Sequence, residues 1–196
     1  MIDADYVQSH VSAAWRIMAT AKGDALARMD ISADGFWLSF WSILIAMPPM
    51  LLSWVAAAPD FAAADDSYSS VVLRLGFADL VSWILPLAGL AMVSSLIGMR
   101  QRFAPYVIAT NWGSAILVWL AVPPALVRLA SPAEQDPSGL LSLIVFVLSL
   151  VLGWRITHGA IGRDPMYSTA IFIGMTVASI LALVALHALL GLPGQP

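Results

Sequence analysis

From Phe36 onward the polar residues thin out, leaving five apolar runs at about 36–58, 75–98, 103–129, 140–157 and 168–191. Each is near the roughly 20 residues that a bilayer core demands. The connections are short and polar, so the pattern predicts five transmembrane helices with sequential neighbours paired as antiparallel hairpins. Ahead of them, from about Asp5 to Met29, the spacing changes. Val7, Val11, Ala14, Trp15, Met18, Ala25, Leu26 and Met29 recur at helical period, with Gln8, Ser12, Arg16 and Thr20 opposite. Residues 1–30 are therefore expected to form an amphipathic helix on the cytoplasmic face, and residues 31–196 the membrane domain. The stripe suits either direct contact with the headgroup layer or packing on the protein's own spans. Asp30 to Gly35 interrupts the pattern, and Ser32 or Asp34 suits the cap of the first span.

The fold class is thus all-α: a polytopic membrane protein of five spans preceded by an interfacial helix. Composition agrees. Of 196 residues 60% are hydrophobic and 11% charged, against about 25% charged in soluble domains. A single Lys and a single Glu leave too few charges for most soluble surfaces. The absence of cysteine removes disulfides, thiolate metal sites and Cys nucleophiles together. The first residues lack the basic start and unbroken apolar core of a cleaved signal, so the N-terminus is expected to be retained.

Charge orients the spans. Arg16, Lys22, Arg28, Arg100, Arg102, Arg155 and Arg163 fall on one side, leaving Arg74 and Arg128 of the nine basic residues on the other. That other side also holds the acidic stretches with Asp60, Asp65 and Asp66, and with Glu134 and Asp136. The positive-inside rule then predicts a cytoplasmic N-terminus and a periplasmic C-terminus in a bacterial inner membrane. Trp37, Trp41, Trp54, Tyr106 and Trp154 lie near predicted span ends, where their rings read as interfacial anchors.

Two spans share a frame. FWLSFWSILIAMPPMLL starts at Phe36 and NWGSAILVWLAVPPALV at Asn111; Trp37, Ser39, Ala46, Pro48 and Pro49 correspond in spacing to Trp112, Ser114, Ala121, Pro123 and Pro124. The first and third spans read as a parallel internal repeat. Proline removes a helical hydrogen bond and collides with the preceding turn, so Pro48, Pro49, Pro123 and Pro124 are expected to bend or open these spans, and Pro86 the second. Broken helices near the midplane point to a transport site, although a kink packed by a neighbour is the commoner outcome. On the fifth span Ala170, Gly174, Ala178 and Ala182 form a ladder of small residues that lets helix backbones approach. An internal partner is favoured for it over a second copy.

Ionisable groups inside spans are the natural candidates for chemistry. Asp79 is the one acidic residue there, and His187 lies at a similar distance from the outer end of its span, so the two can pair or reach water separately. Thr110, Asn111 and Ser114 put an amide and hydroxyls into the third span, either to join helices or to line a cavity. A Ser114–His187 hydrolase is excluded by depth, since the two differ by roughly 12 Å at 1.5 Å per residue. Paired glutamates, a phosphate loop and metal-spaced histidines are lacking. The expectation is a non-enzymatic protein with no cofactor and no nucleic-acid partner. Its partners are the lipid bilayer and, through its small-residue faces, other membrane proteins or itself.

The segment Arg102-Phe103-Ala104-Pro105-Tyr106-Val107-Ile108-Ala109-Thr110-Asn111-Trp112 resembles the start of the third span in small alphaproteobacterial membrane proteins. With five spans and a short basic connection after the second, the chain resembles bacterial Yip1-type proteins over about residues 36–191. The Asp-Leu-Tyr-Gly-Pro type signature of eukaryotic members is missing, so partnership with small GTPases does not carry over. The resemblance implies a membrane-organising or partner-binding role and no catalytic residues. The alternatives are a small transporter with its site between the kinked first three spans, and an accessory subunit of a membrane complex.

Overall fold

The computed structural model describes residues 3–131 and 138–192. Glu134 and Asp136 lie outside them. Among the described residues the chain forms helices and no strands: α1 (Ala4–Thr20), α2 (Ala33–Leu38), α3 (Ser42–Phe61), α4 (Tyr68–Val93), α5 (Phe103–Leu120), α6 (Val122–Ala130), α7 (Ser138–Ile161) and α8 (Pro165–Leu189). Short 3-10 turns occupy Gly23–Arg28 and Ser39–Trp41. Five helical stretches are long and apolar enough to cross a membrane: Ala33–Phe61, Tyr68–Val93, Phe103–Ala130, Ser138–Ile161 and Pro165–Leu189. The all-α polytopic architecture is therefore the observed one.

Helix starts follow the capping chemistry. Asp3 accepts from the Tyr6 amide, Ser32 from that of Gly35, Ser67 from that of Ser70, and Asp164 from those of Met166 and Tyr167. Each satisfies amides that have no partner within the first turn. Pro165 stands at the first helical position, where its missing N–H is harmless. The prolines of the repeat behave unequally. Helix α3 runs unbroken through Pro48 and Pro49, and α4 through Pro86. Pro123 and Pro124 instead occupy the first turn of α6, because the third span stops at Leu120 and restarts after Ala121. Only the second copy opens at its prolines.

The spans close into a ring in the order α4, α3, α5, α7, α8 and back to α4. Hairpins α3/α4 and α7/α8 match expectation, but α4 and α5, consecutive in sequence, are not packed neighbours in this ring. The two repeat copies run parallel and side by side. Asn111 Nδ2 donates to Ser39 Oγ at 2.9 Å and Trp119 Nε1 to the Ile45 carbonyl at 3.1 Å, pairings separated by 72 and 74 residues. An Arg128–Asp60 ion pair continues the alignment to the far end. The environments are less alike than the letters: Pro49 and Pro124 are both buried, yet Trp37 is 70% exposed and Trp112 wholly buried.

The N-terminal helix ends at Thr20 rather than reaching residue 30, where Ala21 turns the chain with φ of 55°. Its apolar stripe is covered by the protein itself: Ala13, Ala14, Ile17 and Met18 are buried against α5 and α7. His10 fastens this layer. Its Nε2 accepts from the Asp30 amide at 3.0 Å, which assigns the remaining ring proton to Nδ1, 2.8 Å from the Tyr6 carbonyl. The ring stacks on Tyr6 and leans on Trp112. Bonds from Ser32 hold the Asp30 carboxyl below the usual carboxylate range, while burial and the charge of Asp30 push the Tyr6 hydroxyl up.

Two of the expected interfacial anchors are interior groups. Trp54 is 7% exposed and Tyr106 4%; the Trp54 indole N–H meets Asp79 and the Tyr106 hydroxyl meets Thr157, so neither polar atom is left without a partner on burial. At the opposite end of the bundle Arg74 ties α4 to α8, donating to the carbonyls of Leu190 (3.1 Å) and Gly191 (3.3 Å) while pairing with Asp66 at 2.5 Å. The Ala63 amide, aided by Arg74, keeps the Asp66 carboxyl below its ordinary range. Replacing Arg74 with Gln is expected to lower unfolding free energy by roughly 1–2 kcal/mol, given its partial exposure. Faster amide exchange in the last turn of α8 would register it, and unchanged exchange there would count against this latch.

Candidate functional site: a cavity within the helix ring

Because α4 and α5 stand apart, the ring leaves a partly open cavity of about 610 Å³ between α4, α5, α7 and α8. Every wall follows the same rule of helical spacing. Helix α4 contributes Asp79, Ser82, Trp83 and Pro86, and α8 contributes Phe172, Met175, Thr176 and Ser179, both sets at i, i+3, i+4 and i+7, the positions that share one helix face. Helix α7 lines it with Phe146, Ser149, Gly153 and Thr157, and α5 with Tyr106, Thr110, Asn111 and Ser114. The lining is apolar for the most part, interrupted by hydroxyls, one amide and one carboxylate.

Asn111 sets the geometry of the gap. Its side chain is 1% exposed, and besides donating to Ser39 it accepts from Trp83 Nε1 at 3.2 Å. One amide therefore joins the first, second and third spans, with both of its polar atoms satisfied. Thr110 bonds its own helix through the Tyr106 and Val107 carbonyls, at 2.8 and 3.2 Å. Ser114 lines the cavity. Three of the five expected polar residues are thus brought together on α5, and Asp79 joins them from α4.

Asp79 accepts a 2.6 Å hydrogen bond from Trp54 Nε1. Among the described residues no hydrogen bond or ion pair joins it to His187. The His187 ring lies edge-on to Phe61 at 5.2 Å, its Nε2 buried without a partner, and it does not line the cavity. Arg74, on the same helix as Asp79, is engaged by Asp66 instead.

No family model, curated protein or solved structure matches this chain. The site must be interpreted from its own chemistry. Among the described residues no three His, Cys, Asp or Glu side chains gather as metal ligands would. Ser114 has no histidine on the cavity wall to activate it. What the arrangement can do is hold a molecule with an apolar body and a few polar groups.

One expectation needs correction. The first three spans do not enclose the site: α3 is outside the cavity, which the second to fifth spans line. The small-residue ladder lies on α8, which packs closely on α4, and it is open on one side. Ala170, Gly174, Ala178 and Ala182 face Gly89 and Leu90 across a second recess of about 560 Å³, and a methyl group added at Gly89 or Gly174 would meet nothing within 4 Å. The residues that sequence reasoning passed over, Ser82, Trp83, Ser149, Thr157, Thr176 and Ser179, carried a usable signal. In each span the polar positions recur at helical period on one face, as they must around a shared polar interior.

Proposed function

We propose that this is a non-enzymatic, multi-pass protein of the bacterial inner membrane, with its N-terminus cytoplasmic, that binds a small amphipathic molecule in the cavity as a carrier or receptor. The observation that carries this reading is the cavity itself. About 610 Å³ lies within the range of roughly 300–1,000 Å³ typical of ligand sites, and apolar walls with a few convergent polar groups are the usual composition of such sites. The concentration of arginine on one side supports the orientation.

Filling the space tests the proposal. Ser149→Trp on α7 and Ser179→Trp on the neighbouring α8 are each expected to weaken binding of a neutral fluorescent amphiphile in nanodiscs by tenfold or more, which corresponds to about 1.4 kcal/mol. Retained helicity and thermal midpoint would show that the fold survives. Equal binding by wild type and both variants would overturn the reading.

A partner-binding or membrane-organising role, of the kind a Yip1-like chain would have, is the second reading. The open recess between α4 and α8, with its small-residue ladder, supports it. A stoichiometric membrane partner in mild detergent, displaced by Gly174→Leu and indifferent to the cavity-filling changes, would favour this role over ligand binding.

A further inference from the structure

We propose that the cavity selects an organic monocation: an ammonium group joined to an apolar, preferably aromatic, body. This inference rests on the ligand-binding reading above and names the class of ligand. Among the described residues Asp79 is the one on the cavity wall with a formal charge, and its one hydrogen bond comes from a neutral donor, the Trp54 indole, at 2.6 Å. The guanidinium on its own helix, Arg74, is held by Asp66 and by two carbonyls at the end of α8. His187 makes neither a hydrogen bond nor an ion pair with it. A carboxylate set in an apolar surround is costly until a counter-charge arrives, and the bundle supplies none at bonding distance.

A second observation points the same way. Ser82, one turn along α4 from Asp79, is a cavity-lining residue whose hydroxyl is buried and, among the described residues, has no hydrogen-bond partner to fix its rotamer. An ammonium has three donors to distribute: Asp79 can take one and the free Ser82 oxygen another. The remaining wall suits the rest of such a molecule. Trp83, Phe146 and Phe172 present aromatic surface, and ring faces attract cations, more so when water is excluded. An anion would meet the charge of Asp79 with no cation on the wall to offset it.

The test compares two probes of matched size, a phenylalkyl primary ammonium and the corresponding neutral alcohol, titrated against the full chain in zwitterionic nanodiscs with empty discs subtracted. Wild type is expected to bind the ammonium at least tenfold tighter than the alcohol. Asp79→Asn should abolish that preference, bringing ammonium affinity down to that of the alcohol, while its side-chain carbonyl can still accept from Trp54, and Asp79→Glu should retain part of it. Wild type binding both probes equally, or Asp79→Asn keeping the preference, would overturn the cation inference while leaving the cavity reading intact. Neither probe binding wild type would overturn both.

Discussion

Replacing Gly35 with alanine is expected to destabilise the protein by about 3 kcal/mol or more and to loosen the N-terminal layer. A Cβ at this position would collide with the Asp30 carbonyl oxygen and stand 2.7 Å from the Asp30 carbonyl carbon and Cγ. The obstruction is mainly backbone, which cannot swing aside as a side-chain tip would. Nor is that backbone free to move: the Asp30 amide is bonded to His10, and Asp30 Oδ1 receives the Ser32 amide at 3.0 Å. Overpacking commonly costs about 1–3 kcal/mol, and a fixed neighbour places this site at the upper end. Denaturant unfolding in detergent should show the loss, accompanied by faster amide exchange in α1 as the Asp30–His10 connection yields. Gly89→Ala is the control, since a methyl group there meets nothing within 4 Å and gains helix propensity. Equal stability of the two variants would refute the steric account.

Asn111→Leu is expected to cost about 2–3 kcal/mol despite similar side-chain volume. The change removes the donor to Ser39 Oγ and the acceptor for Trp83 Nε1 together. Hydrogen bonds between helices in a bilayer contribute roughly 0.6–2 kcal/mol each, and the orphaned Trp83 indole lies where replacement partners are few. Ser39 is the less affected neighbour because its hydroxyl also donates to the Phe36 carbonyl at 2.7 Å. A double-mutant cycle with Trp83→Phe separates the two contacts. Coupling of 0.5 kcal/mol or more is expected, and strict additivity would show that the indole contributes nothing through Asn111.

The spans were legible because uninterrupted apolar length has few other meanings, and capping residues located several helix starts. The parallel repeat was legible too, since corresponding positions pair across α3 and α5 within a few residues of the shared frame. Which face of each span meets which neighbour was not. Trp54 and Tyr106 illustrate the reason: an amphipathic ring near a span end satisfies its polar atom equally well with headgroup water or with a buried partner, and only tertiary structure decides. His10 was opaque for a similar reason, because its partner is a backbone amide 20 residues away that leaves no mark in the letters. At Asp79 a contact with His187 was the expectation, but the bond it makes is to Trp54, which depends on how α3 turns against α4. The small residues of α8 lie beside α4, on which α8 packs closely, but the open recess next to them had no mark in the letters.

The docking of α1 has a consequence for biogenesis. Met18 meets the Gly113 region of α5 and Ile17 the Gly159 region of α7, so α1 is completed by helices made well after it. At roughly 5–20 residues per second, the ribosome takes on the order of 7–30 s to synthesise the intervening chain. Until α5 is made Met18 lacks its partner, and throughout the interval Ile17 lacks the cover that α7 gives it. The nascent helix must shelter them in the bilayer surface or on a chaperone, then exchange that temporary neighbour for α7.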